Sequence, residues 1–226
     1  MSRATPPRPS LLVLAGVNGA GKSSVAGAWL RGQALDYYNP DEATALLKAQ
    51  GVAAQDANAA AWAHGRDRLV DATVRRQAFA FETTLGGSTI PALIRRACDS
   101  HDVTLWFVGL DSPERHLARI AARVLSGGHD IPEARVRARW DGARRNLVAL
   151  MPYLFELRVY DNSVEQTDAT LAQPALLLHV QRRRIKAPTA RVLRDTPAWA
   201  RPLVEAARQL SPRLVARKPA GSADMP

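Results

Sequence analysis

The residues whose types and spacing suggest chemistry begin at Gly16-Val17-Asn18-Gly19-Ala20-Gly21-Lys22-Ser23. The run fits G-x-x-x-x-G-K-[ST], the pattern in which glycines let backbone N–H groups wrap a polyphosphate, a lysine reaches the β- and γ-phosphates and a hydroxyl meets Mg²⁺. Apolar Leu11-Leu12-Val13-Leu14-Ala15 precedes it, and Ser24 to Leu30 read as the opening of a helix, so the strand, loop and helix that the pattern needs are in sequence. Lysine occurs only at 22, 48, 186 and 218 in a chain whose other positive charges are arginines, which gives the lysine at the motif position added weight.

Downstream, charged residues recur at the ends of apolar runs. Asp41 follows Ala34 to Tyr38, a short run that reads as a second strand. A carboxylate at the carboxyl edge of an α/β sheet lies where ligands bind and could accept a hydroxyl proton; equally, an acid in a first helical turn complements the helix dipole. Glu82 ends the run Ala78-Phe79-Ala80-Phe81 and precedes Thr83, Thr84, Leu85, Gly86 and Gly87. It reads either as part of a ligand loop or as a solvated strand-end acid. Asp111, after Val103 to Leu110, resembles a Walker B acid or, as readily, a cap ahead of Ser112-Pro113-Glu114. Arg115, Arg119 and Arg123 recur at four-residue spacing on one helix face, and Arg135, Arg137, Arg139, Arg144 and Arg145 ride on a following helix. An arginine-bearing helical hairpin joined by Ser126-Gly127-Gly128 has the composition of a lid that closes over phosphates. His129 is assigned no chemistry, because no second histidine or cysteine stands at metal spacing.

These residues require an ordered set of elements. Asn39 fits an N-cap, Pro40 the first helical position and Glu42 a capping box, so a helix covers Thr44 to Gln50. A long alanine-rich helix runs from Gln55 to Gln77 with Gly65 as its weak point, strand three over Ala78 to Glu82, and a helix from Ser88 to about Ser100. Val103 to Leu110 is the most strand-like run and belongs at the sheet centre. Leu157 to Asp161 is strand five, Val164 to Leu171 a helix, Ala175 to Val180 a sixth apolar run and Pro197 to Leu210 a helix, with a disordered tail from Ser211. The expectation is an α/β P-loop NTPase three-layer sandwich with a mainly parallel sheet. Its divisions are a flexible N-terminus over 1–9, a kinase domain over 10–185 with the lid near 112–150, and a basic extension over 186–226.

Composition bounds partners. The 226 residues suffice for one substantial core, and Cys98, the single cysteine, rules out an intramolecular disulfide. No membrane span or secretory leader is read, so a cytoplasmic setting is expected. A formal charge of +10 raises nucleic acid and phosphorylated ligands as partners. The arginine runs lack interleaved aromatics, which makes nucleic acid the lesser reading.

The chain resembles the zeta-toxin family of P-loop kinases, particularly its shorter bacterial members, from about Leu11 to Ser163. The similarity is carried by Gly16 to Ser24, by Asn39-Pro40-Asp41, by Phe81-Glu82-Thr83-Thr84, by Arg123-Val124 with Gly127 to Glu133, and by Tyr160-Asp161-Asn162-Ser163. The resemblance implies ATP and Mg²⁺ as cofactors and a hydroxyl of a small, nucleotide-linked acceptor, UDP-N-acetylglucosamine in the family, as the phosphate's destination. It implies Gly16 to Ser24 around the phosphates, Lys22 and Ser23 on ATP and magnesium, Asp41 as base, and Glu82, Thr83 and Thr84 with the acceptor. Arg123 with either Arg135 or Arg139 would neutralise the moving phosphoryl group, Asn162 would lie near the adenosine, and an antitoxin protein becomes a candidate partner. The segment after Glu82 is shorter than in the sugar-nucleotide kinases, and their uridine-binding residues have no counterpart in it. Readings outside the family are a nucleic-acid-end kinase and a non-catalytic ATP-binding regulator.

Overall fold

In the computed structural model, residues 7–23, 25, 35–126, 128, 130–164, 173–187 and 195–210 are described. Seven strands form one sheet in the order β2-β3-β1-β4-β5-β6-β7: β1 (Ser10–Ala15), β2 (Tyr37–Tyr38), β3 (Phe79–Thr83), β4 (Asp102–Gly109), β5 (Glu156–Asp161), β6 (Ala175–Gln181) and β7 (Arg184–Ala187). Strands β1 to β5 run parallel, and β6 and β7 add an antiparallel edge. The helices are α1 (Pro40–Ala49), α2 (Ala54–Arg75), α3 (Thr89–Ala97), α4 (Pro113–Leu125), α5 (Glu133–Leu150) and α6 (Arg201–Leu210).

Strand alternation builds two apolar layers. Leu11, Val13, Phe79, Phe81, Val103, Leu105 and Phe107 enter the larger core on one sheet face, while Leu14, Ala80 and Val108 enter a smaller cluster with Leu12, Val25 and Trp106 on the other. A sheet apolar on both faces needs cover on both, which is the three-layer α/β arrangement expected from the sequence. The expected P-loop helix over Ser24 to Leu30 lies largely outside the described residues, as do His129, most of the helix read over Val164 to Leu171, and the tail from Ser211.

Three differences from the sequence reading have local causes. Strand two is only Tyr37–Tyr38, pairing with Ala80 and Phe81 at the sheet edge. Strand β7 was hidden in a basic run: Arg182 (φ 47°) and Arg183 (φ 62°) make the β6–β7 turn without the Gly or Asn that marks such turns. Gly65, read as a weak point, is a packing requirement. A Cβ there would lie 2.5 Å from Tyr38 Cε1, so the missing side chain lets α2 close on β2, where Tyr38 donates to Ala61 O at 2.6 Å. The carboxyl-terminal helix is present as a 3-10 turn over Ala198–Ala200 followed by α6. Its Trp199, Leu203 and Ala207 belong to the main core, and Gly109 leaves the space that the Trp199 ring fills. No helix among the described residues is long and apolar enough to cross a membrane.

Candidate active site

The loop after β1 is fixed from three sides. Gly16 N donates to Thr83 O at 3.1 Å, which ties the loop's start to the end of β3. Gly16, Gly19 and Gly21 take φ of 148°, 80° and 82°, and a Cβ on Gly16 would collide with Val108 O. Val17 and Ala20 are buried and close a turn through Ala20 N to Val17 O at 3.0 Å. From α4, His116 places Nδ1 2.8 Å from Asn18 O; since a carbonyl can only accept, Nδ1 carries the proton. Burial drives the His116 pKa from 6.5 down to about 4, so the ring is neutral at physiological pH. From the β5 exit, Asn162 Nδ2 donates to Ala20 O at 2.9 Å, and Arg119 Nη2 donates to Asn162 O at 2.7 Å. Asn162 thus buttresses the outside of the loop.

Four charged groups converge on Lys22. Burial lowers its pKa from the usual 10.5, Glu82 and then Asp41 oppose that fall, and Arg123 and Arg139 add to it. Residues 19 to 117 positions away in sequence therefore act on one ammonium. Asp41 is held in the first turn of α1, where Asn39 caps the helix by accepting from Asp41 N at 2.9 Å and Glu42 N at 3.5 Å. Glu42 Oε1 joins the cap by accepting from Asn39 Nδ2 at 3.3 Å.

Glu82 is buried, not a solvated strand-end acid. Its Oε1 accepts from Ser23 Oγ at 3.2 Å, Asn39 Nδ2 at 3.4 Å and the Tyr37 hydroxyl. Burial of a carboxylate is tolerated when donors surround it, and here they come from the phosphate loop, β2 and the α1 cap. Asp111, by contrast, is exposed, pairs with Arg115 at 2.9 Å and accepts from Ser112 Oγ at 3.1 Å. The acid beside the loop's hydroxyl is Glu82, and Asp111 serves the start of α4.

The two α5 arginines singled out in the sequence separate. Arg139 donates from Nη1 to Asn18 Oδ1 at 2.7 Å, and burial with the neighbouring charge of Arg135 lowers its pKa. Arg135 is exposed and lines the adjoining cavity. Helix α5 reaches the loop because its backbone crosses the β3–α3 segment at two glycines. A Cβ on Gly86 would lie 2.8 Å from Arg139 Cα, and one on Gly142 would collide with Gly86 O. Asn146 Nδ2 locks the crossing by donating to Leu85 O and Gly87 O, both at 2.7 Å. Thr83 and Thr84 use their hydroxyls partly on that segment, accepting from Leu85 N at 3.1 Å and Gly86 N at 3.5 Å.

Beside this cluster opens a cavity of about 880 Å³, bounded by Asp41, Glu82, Thr83 and Thr84, by α2, and by Arg135 and Arg139 of α5. Its size falls in the range of about 300–1,000 Å³ usual for small-molecule sites. His116 and Tyr37 were missed in the sequence, and neither carries a local signal of its partner. Arg119 was visible there only as one of the arginines at four-residue spacing on α4.

The residues fit a nucleotide with a magnesium ion. Three glycines shape a loop that side chains would obstruct, and Ser23 and Glu82 present two oxygens side by side. That pair is within the one or two protein ligands a magnesium ion takes beside water and substrate phosphates.

No protein-family model matches the chain, and no curated protein matches it in sequence. Solved structures do match in fold. A chain of the AvrRxo1-ORF1:-ORF2 complex crystallised with ATP aligns at a TM-score of 0.62 and 16% identity over 85% of this chain and 64% of that one. The native form of that complex aligns at 0.58 and 15% identity, over 90% of this chain and 71% of that one. A structure of the PezAT chromosomal toxin–antitoxin system of Streptococcus pneumoniae aligns at 0.52 and 12% identity over 95% of this chain and 90% of that one. The chain thus spans about two thirds of the AvrRxo1 chains' length and nearly all of the PezAT chain's. The protein shares its α/β fold, a mostly parallel sheet between helices, with these AvrRxo1 and PezAT chains.

Proposed function

We propose that the protein is an ATP- and Mg²⁺-dependent phosphotransferase that moves the γ-phosphate of ATP to a hydroxyl of a small, nucleotide-linked acceptor. The observation that carries this reading is the convergence of Glu82, Asp41, Arg123 and Arg139 on Lys22. Mere nucleotide binding needs the loop and the lysine; it does not need a carboxylate in the next cavity or two arginines from a lid.

Backbone N–H groups of Gly16 to Gly21 and the Lys22 ammonium bind the donor phosphates. Ser23 and Glu82 would hold magnesium, which would supply charge neutralisation at the donor phosphates. Asp41 takes the proton from the acceptor hydroxyl as its oxygen bonds to the γ-phosphorus and the bond to the ADP oxygen breaks. Arg123 and Arg139 offset the charge on the transferring group; Arg135, at the cavity rim, contacts the acceptor. Positioning and charge thus supply most of the catalysis. A second protein that silences the enzyme belongs to the same reading, because the PezAT match is to a toxin–antitoxin system.

The test is incubation with γ-labelled ATP and Mg²⁺ against UDP-N-acetylglucosamine, other nucleotide sugars, nucleosides and 5′-hydroxyl oligonucleotides. Label in a nucleotide-linked compound is the expected result. Label in oligonucleotides alone would transfer the assignment to a nucleic-acid-end kinase, and ATP binding without any labelled acceptor would leave a regulator.

A further inference from the structure

Helix α2 carries two stripes of opposite character. Ala57, Ala61, Gly65, Leu69 and Ala72 are buried against the core. Turned from them, Gln55, Asn58, Trp62 and Arg66 line the cavity beside Asp41 and Glu82, at the three- and four-residue spacing that puts side chains on one helix face. Trp62 is 45% exposed and is not among the core residues. Unlike the other exposed apolar side chains of α2, Val70 and Val74, it lines the cavity, so its indole face is open to a ligand held there. Its orientation is set by Arg66, whose guanidinium stands over the ring 5.3 Å from the centroid. One turn earlier, Asn58 donates from Nδ2 to Ala54 O at 2.8 Å, which fixes the carboxamide and leaves its oxygen as an acceptor.

We propose that Trp62, flanked by Asn58 and Arg66, forms a nucleobase subsite for the acceptor on α2. The proposal rests on reading this cavity as the acceptor's. An aromatic face that stacks, an amide that meets a hydrogen-bonding edge and an arginine beside them recognise a base bearing a phosphate. A saccharide ring or a bare sugar phosphate uses less of the set. This subsite lies on the helix before β3, so it requires nothing of the short segment after Glu82.

The experiment uses the full chain saturated with Mg²⁺ and a non-hydrolysable ATP analogue, which occupies the donor loop. UMP, CMP, AMP, GMP and ribose 5-phosphate are then titrated by calorimetry. At least one nucleoside monophosphate is expected to bind ten-fold or more tightly than ribose 5-phosphate, a margin within that of a single stacked base. Trp62→Ala should weaken that nucleotide by about ten-fold or more, and Trp62→Phe by no more than about three-fold, with the affinity for the ATP analogue equal in all three proteins. Nucleotide-dependent quenching of indole fluorescence, lost in Trp62→Phe, supplies a readout if the alanine variant unfolds early. Equal binding of ribose 5-phosphate, or nucleotide binding and quenching indifferent to residue 62, would overturn the subsite. A failure of the kinase reading looks different: no acceptor is labelled, yet nucleotide binding still depends on Trp62.

Discussion

Replacing His116 by Gln isolates a neutral imidazole whose proton faces the phosphate loop. The wild-type ring is 1% exposed and donates to Asn18 O, a bond that a glutamine amide can retain. Burial depresses the folded-state pKa to about 4, against 6.5 in the unfolded chain. Between those values the unfolded state binds the extra proton, so stability rises with pH through the window; it is fully present above about 6.5 and lost as pH falls toward 4. At ~1.36 kcal/mol per pH unit, this histidine withdraws about 2 kcal/mol by pH 5 and about 3 kcal/mol by pH 4. Carboxylates that protonate over the same range are common to both proteins and cancel in the difference. Urea unfolding at pH 7, 6, 5 and 4 should therefore show the wild type losing about 2 to 3 kcal/mol more than His116→Gln. Parallel profiles would refute the reasoning, since they would mean that the buried ring accepts a proton at no cost to the fold.

Gly142→Ala should lower stability by about 1–3 kcal/mol, because its methyl meets the Gly86 carbonyl and no flexible atom can yield; thermal melting reads the loss, and an unchanged midpoint would contradict the close crossing. Arg139→Ala should reduce kcat by about 10³-fold or more if this arginine neutralises the transferring group, whereas Arg135→Ala should act mainly on acceptor KM; steady-state kinetics separate the two. Glu82→Gln keeps the shape of the buried carboxylate but removes its charge beside Ser23. The Mg²⁺ concentration for half-maximal activity should rise by about ten-fold or more, and an unaltered Mg²⁺ titration would remove Glu82 from the metal side.

Much of this architecture was legible because local chemistry and tertiary need agreed. The loop from Gly16 to Ser23, the Asn39 cap with Pro40 behind it and the Phe79–Thr83 strand each announce themselves within a few residues, and the fold follows from their order. Placement of Asp41 near the loop was legible too, since a helix starting at Pro40 after an edge strand puts its first turn at the sheet's carboxyl edge. What could not be read were contacts that depend on distance in space. Tyr37 is one residue of a short strand in the sequence, and only the pairing of β2 with β3 brings its hydroxyl to Glu82. His116 sits 98 residues from Asn18 and carries no local mark of that partnership. Gly65 read as a weak point and Gly86 as part of a ligand loop, although both, like Gly142, admit another element closely. Trp62 falls within the long alanine-rich helix expected over Gln55 to Gln77. The core stripe of that helix is made of alanines, Gly65 and Leu69, and the indole lines the cavity instead.

The central claim is that Asp41 acts on an acceptor hydroxyl beside a phosphate loop that binds ATP independently of it. Paired measurements on Asp41→Ala, ATP-analogue affinity by calorimetry and label transfer from γ-labelled ATP, test it most directly. ATP affinity should stay within about three-fold of wild type while transfer falls by about 10²–10⁴-fold. Wild-type turnover by Asp41→Ala would contradict it.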